Sequence, residues 1–101
     1  MSKLKKKEKP FETQIRKFLD VEGCYCFKVW GGGYQQAGIP DLLICCNGYF
    51  IAVEVKGDRG KPSELQLHNI EKIKKAGGEA MVLYPKNFED FKQLIFNLKG
   101  R

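Results

Sequence analysis

The chain has 101 residues, 43% of them hydrophobic and 12% aromatic, and carries a formal charge of +6. A chain of this length predicts one domain that removes about 65% of its unfolded surface from water without disulfide staples. No apolar run approaches the roughly 20 residues that span a bilayer, and the basic start lacks the apolar stretch of a secretory signal, so the expectation is a cytoplasmic protein.

The charge excess suggests a polyanionic partner, with plain solvation by lysine as the equal alternative. Cys24, Cys26, Cys45 and Cys46 lie within apolar strand-like runs. Adjacent Cys45 and Cys46 face opposite ways along a strand, and Cys24-x-Cys26 lacks zinc-knuckle spacing, so the four are expected as reduced, buried thiols.

Residues 1–9 hold too few apolar groups to order themselves and are expected as a mobile basic arm ahead of a single domain over 10–101. Pro10 is expected to open a helix in which Phe11, Ile15, Phe18 and Leu19 share one face and which stops near Gly23. Glu12 stands beside that stripe, either as a first-turn acid favoured by the helix dipole or as an acidic ligand.

Cys24 to Trp30 has strand composition interrupted only by Lys28, and the glycine-rich stretch from Gly31 to Gly38 breaks regular structure. That loop, with Gly32, Gly33 and Tyr34, suits close approach of its amides to a sugar-phosphate backbone, and it suits a plain connector equally. It is neither a Walker loop nor a dinucleotide fingerprint.

Leu42–Cys46 and Tyr49–Val53 are apolar runs joined by Asn47-Gly48, which predicts a two-residue hairpin. Pairing outwards from that turn brings Asp41 beside Glu54. Strand alternation places Glu54 and Lys56 on one face while Val53 and Val55 enter the opposite layer. Two acids and an amine at the end of buried strands are costly unless they bind something.

A breaker-rich loop carrying Arg59 and Lys61 leads to a helix from Ser63, with Leu67, Ile70 and Ile73 expected on its buried side. Gln66 fits a capping box with Ser63 and also lies one turn before Ile70, where its amide can reach the acidic pair instead. His68 lies off that face and reads as a solvated helix residue rather than a general base. Glu79–Tyr84 predicts a further buried strand. Asn87 is expected to cap a last helix with Phe88, Phe91, Ile95 and Leu98 inward, leaving Phe96 outside the stripe as a candidate subunit contact. The order α-β-β-β-α-β-α predicts an α/β fold with a four-stranded mixed sheet flanked by helices, the crossover before the last strand creating a parallel pair.

Asp41 and Glu54 are the oxygen donors that Mg²⁺ prefers, since that ion commonly takes one or two protein carboxylates together with substrate phosphate oxygens. Lys56 beside them can position a water or offset developing charge. Pro40-Asp41 with Glu54-Val55-Lys56 resembles the core motif of the PD-(D/E)XK nuclease superfamily. Gly38-Ile39-Pro40-Asp41, Glu54-Val55-Lys56-Gly57 and Ser63-Glu64-Leu65-Gln66 resemble the short, free-standing members of its VRR-NUC (virus-type replication-repair nuclease) family.

The resemblance implies a restriction-endonuclease-like core. It assigns Asp41, Glu54 and the Val55 main-chain carbonyl to a divalent metal, Mg²⁺ with Mn²⁺ as substitute, Lys56 to the attacking water and Gln66 to support of the site. It adds Glu12 to the constellation. It further implies a phage or bacterial setting, a homodimer, and a structure-selective endodeoxyribonuclease cutting branched DNA such as a four-way (Holliday) junction. Gly32, Gly33, Tyr34, Arg59 and Lys61 are the expected DNA contacts. The competing readings are a sequence-selective restriction-like endonuclease and a non-catalytic DNA-binding module.

Overall fold

A computed structural model describes residues 3–30 and 37–100. Helix α1 (Lys3–Val21) leads into strand β1 (Tyr25–Lys28), the hairpin strands β2 (Leu42–Cys46) and β3 (Tyr49–Val55), helix α2 (Glu64–Lys75), strand β4 (Glu79–Leu83), a 3-10 turn (Pro85–Asn87) and helix α3 (Phe88–Leu98). The sheet runs in the order β1-β2-β3-β4, antiparallel except for the parallel β3–β4 pair. This is the predicted mixed sheet, and α2 makes the crossover that allows its parallel pair.

The hairpin sets the register. Asn47 and Gly48 both have positive φ, 52° and 85°, as a type I′ turn requires, and Cys46 pairs with Tyr49 directly across it. Leu42 consequently pairs with Val53, so the next residues outward, Asp41 and Glu54, come opposite one another. Slipping the pairing by one residue would reverse the two faces of each strand and exchange the buried carboxylate of Glu54 for a valine.

Alternation along β3 divides the core. Ile51, Val53 and Val55 enter the main cluster with Phe11, Ile15 and Leu19 of α1 and Phe91 and Ile95 of α3. Ala52 faces the other way and packs with Ile70 of α2 and Ala80. Ile15, Leu19 and Ile95 are fully buried, so truncating any of them to alanine costs about 2–5 kcal/mol. The two terminal helices are locked together by aromatic edges, with Phe18 packing edge-on against Phe88, Phe91 and Phe96. Phe96, expected to be exposed, is half-buried in that contact.

Several local expectations need correction. Helix α1 begins at Lys3, so residues 3–9, expected as an arm, are helical and Pro10 lies inside the helix instead of opening it. The lysines and glutamate before Pro10 are good helix formers, and they extend the helix although they add nothing to the apolar stripe. In α2, Leu67 is exposed, and Ile70 carries the packing. The packed side of this helix is centred on Ile70, which meets Ala52 of β3 and Ala80 of β4, with Leu43 of β2 alongside. Asn87 stands at the start of α3 without a side-chain capping bond, behind the 3-10 turn.

All four cysteines are free thiols, as expected, but Cys45 is exposed. It lies in register between Tyr25 and Phe50, which are also exposed. Cys24 sits in the main cluster near Cys46, where burial and the neighbouring sulfur push its thiol up to about 12.

Candidate active site

The candidate site forms where β2 begins and β3 ends, between α1 and the N-terminus of α2. Asp41 is tied to the end of β3 by its own carboxylate, Oδ2 accepting the Val55 amide proton at 2.9 Å. That bond fixes the carboxylate against the strand carrying Glu54. Burial raises the Asp41 pKa above the usual carboxylate range, a shift opposed by the Val55 hydrogen bond.

Among the described residues Glu54 is the one charged residue in the buried core, only 2% exposed. Its Oε2 is doubly engaged, accepting from Gln66 Nε2 at 2.8 Å and lying 3.3 Å from Lys56 Nζ. Its Oε1 is buried without a hydrogen-bond partner among the described residues. Burial and the neighbouring Asp41 push the Glu54 carboxyl up to about 7, while Lys56 pulls it back. A bare carboxylate oxygen in such a place costs on the order of 1–3 kcal/mol or more, and the natural way to recover that cost is a cation.

Gln66 performs both functions open to it. Its Oε1 accepts the Ser63 main-chain N–H at 2.8 Å, and the Gln66 main-chain N–H donates to Ser63 Oγ at 3.1 Å, completing the capping box. Its Nε2 remains free for Glu54. The cap therefore anchors the side chain that orients the acid, so the two roles reinforce one another.

Glu12 approaches from α1. Its Oε2 lies 2.6 Å from Lys28 Nζ of β1 and 4.0 Å from Arg16 across a helical turn. Among the described residues no group of three or more His, Cys, Asp or Glu side chains is close enough together to hold a metal ion. Asp41 stands between two other carboxylates, raising the pKa of Glu54 on one side and having its own raised by Glu12 on the other, while Glu12 is paired with Lys28. The hard oxygens of Asp41 and Glu54, one of them buried and unpartnered, fit a divalent cation of the Mg²⁺ type.

Two residues of this neighbourhood were not singled out from the sequence. Lys28 reaches Glu12 across the fold, and the only available signal was that it interrupts an otherwise apolar and aromatic strand. Glu8 lies one helical turn before Glu12. Burial raises its pKa, and the charges acting on it are Lys56, Asp41, Glu12 and Lys28. Its position became readable only once the helix was known to extend back past Pro10.

Of the expected DNA contacts, Gly32, Gly33 and Tyr34 lie outside the described residues, whereas Arg59 and Lys61 are exposed on the loop between β3 and α2. His68 is exposed on α2. No described helix is long and apolar enough to cross a membrane.

Asp41, Glu54, Lys56 and Gln66 thus form one connected group, with Lys28, Glu12 and Glu8 on its α1 side. Such an arrangement can hold a cation between carboxylates and place an ammonium beside it. Residues 3–98 match the model of a protein family, Hjc, described as archaeal Holliday junction resolvase. No curated protein matches the chain.

Proposed function

The chain belongs to the archaeal Holliday junction resolvase (Hjc) family, and from that premise we propose that it is a metal-dependent, structure-selective endodeoxyribonuclease acting on four-way DNA junctions. The observation that carries the metal dependence is the division of labour on Glu54. Oε2 is saturated by Gln66 and Lys56 while Oε1 is buried and bare.

Asp41 and Glu54, joined by the Val55 main-chain carbonyl on the VRR-NUC resemblance, would hold Mg²⁺ or Mn²⁺. The ion supplies Lewis acidity at a phosphate oxygen and acidifies a water. The chain's own groups do the rest. Gln66 and the Val55 amide hold the two carboxylates in fixed orientations, so no reorganisation is needed when substrate arrives. Lys56 presents a donor next to Glu54, where it orients the attacking water and meets charge developing on the phosphoryl oxygens. In hydrolysis that water adds to phosphorus, the ester oxygen leaves, and the water proton passes to bulk solvent or to the leaving oxygen.

A non-catalytic DNA-binding module would have little use for these acids, because two carboxylates facing a phosphate weaken binding unless a cation intervenes. A homodimer is part of the proposal, since a four-way junction presents paired scissile strands. What supports it is the open face of the sheet, where Tyr25, Cys45 and Phe50 lie in register and are exposed. The setting in phage or bacterial replication and repair rests on the VRR-NUC resemblance.

The test is cleavage of four-way junction, flap and linear duplex of equal length, with Mg²⁺, with Mn²⁺ and with EDTA. Metal-dependent cutting of the junction in preference to linear duplex is expected. If every substrate stays intact with Mn²⁺, the enzymatic proposal fails; cutting of linear duplex at one recurrent motif would replace branch selectivity with sequence selectivity.

A further inference from the structure

Trp30 is the chain's single tryptophan and is 68% exposed. It stands just beyond β1, where the bond from the Val29 amide to the Asp41 carbonyl, 2.7 Å, carries the β1–β2 pairing one residue past Lys28. Alternation along this extended segment places Trp30 on the same side as Lys28. The side chains confirm it, with Lys28 Nζ over the indole, 4.9 Å from the ring centre.

The same ammonium is 2.6 Å from Glu12 Oε2. The ring centre therefore lies within about 7.5 Å of the Glu12 carboxylate oxygen, the most that these two distances permit. The indole is thus fastened to the α1 side of the acidic site by a cation that is itself fastened by an acid. The core does not use this ring. Trp30 is absent from both packed clusters, and leaving so much indole in water forfeits the burial that normally accounts for a tryptophan.

One face of the indole receives the Lys28 ammonium by a cation–π contact. An aromatic plate of this kind, beside the Glu12 carboxylate and next to a lysine at the edge of the candidate site, suits stacking with a nucleobase. Stacking on an aromatic side chain is worth about 1–3 kcal/mol per base and is indifferent to sequence, because every base has a π-face. It is not indifferent to structure. A base inside a duplex must first leave its stack at a cost of a few kcal/mol, whereas an unpaired base in a bulge has met that cost already and a base pair at a branch point has lost its stacking neighbour on one face.

We propose that Trp30 is a stacking platform for a base at the branch point, adjoining the scissile phosphate, and that it helps the enzyme select DNA whose bases have lost a stacking neighbour; an unpaired base in a bulge is the simplest probe of that contact. The proposal deepens the nuclease reading above and rests on it for the position of the phosphate. Lys28 has a positioning role, holding the indole from behind while Glu12 holds Lys28.

The single tryptophan makes the test direct. Indole fluorescence of the full chain is followed in EDTA during titration with a duplex carrying one unpaired adenine, with the same duplex carrying an abasic site in its place, and with the fully paired duplex. Strong quenching by the unpaired adenine, with little by the other two, is expected. Trp30→Ala should weaken binding to the adenine-bulged duplex about 5- to 150-fold and leave binding to the paired duplex unchanged, while Trp30→Phe should retain most of the affinity.

Equal quenching by the abasic and adenine duplexes, or unchanged bulge affinity in Trp30→Ala, would overturn the proposal. Cleavage with Mn²⁺ is scored separately. Base-specific quenching without any cleavage would leave the stacking platform standing and remove the nuclease. Cleavage with unaltered branch preference in Trp30→Ala would do the reverse.

Discussion

Gln66 donates from Nε2 to Glu54 Oε2 at 2.8 Å while the other end of the same amide accepts from the Ser63 backbone. One side chain therefore connects the start of α2 to the buried acid of β3, and damage to either contact should reach the other. Gln66→Ala is expected to lower stability by about 1 kcal/mol through the lost cap and to reduce cleavage about 10- to 100-fold through the loosened carboxylate. Gln66→Glu separates the two roles, since glutamate also serves a capping box but sets a second negative charge against Glu54. Thermal melts should show Gln66→Glu better capped than the alanine variant at low pH, whereas cleavage assays should find both impaired.

Asp41 and Lys56 flank Glu54 with opposite charges, and neither is part of the hydrophobic core. Asp41→Asn keeps a group able to accept from the Val55 amide and removes the charge. Lys56→Ala removes the donor beside Glu54. Each is expected to reduce cleavage by at least about 10²-fold, the scale attached to a positioned proton-transfer or charge-stabilising group. Junction binding measured in EDTA should change little in Lys56→Ala and strengthen slightly in Asp41→Asn. Loss of binding in parallel with cleavage would show that these residues serve affinity instead of chemistry.

The hairpin side of this site was legible in the sequence because local rules determine it. Asn47-Gly48 dictates the turn, the turn dictates the pairing, and pairing with alternation brings Asp41, Glu54 and Lys56 together. Gln66 was legible through its spacing from Ser63, although only the structure shows that cap and site coexist. The α1 side was not legible to the same degree. Lys28 meets Glu12 through the docking of a helix on an edge strand, a long-range event with no sequence periodicity of its own. Glu8 was hidden by an ordinary signal, since proline usually opens helices and here lies within one. Leu67 and Phe96 were misplaced for a related reason. An apolar stripe shows which side of a helix is greasy, but it does not show how far the opposite surface extends.

The raised pKa of Glu54 has a definite consequence for the metal-free protein. The folded carboxyl titrates at about 7, above the ordinary 4.5, so the folded state binds more protons than the unfolded state between these values. Stability therefore falls as pH rises through that window and is insensitive to this group below it. The full span is on the order of 3 kcal/mol, and the upward shift of Asp41 acts in the same direction. Melting temperature in EDTA should decrease from pH 5 to pH 8. Glu54→Gln should flatten the profile, and Mg²⁺ should raise the melting temperature most at the alkaline end, where the carboxylate is ionised. A wild-type melting temperature that increases steadily across the window would contradict the assignment.

Gly38 holds the approach to Pro40-Asp41 against α2. Its φ is +84°, and a Cβ at this position would come 2.6 Å from Leu65 Cγ, 2.7 Å from Asn69 Nδ2 and 3.1 Å from the Leu65 main-chain carbon. The side-chain atoms can move, but the backbone carbon belongs to the first turn of the helix that also carries Gln66. Left-handed backbone at a non-glycine residue costs of order 1–3 kcal/mol, and the contacts with α2 add to it. Gly38→Ala should therefore lower the melting temperature and, by displacing Asp41 from Gln66 and Glu54, reduce cleavage in the folded fraction well below the wild-type rate. Gly77 provides the control, having a comparable positive φ of 102° with no atom within 4 Å of a Cβ. Gly77→Ala should show the backbone penalty in a melt while cleaving junctions at the wild-type rate below its melting temperature. Equal cleavage by the two variants would show that the Gly38 contact with α2 is not what holds the two halves of the site together.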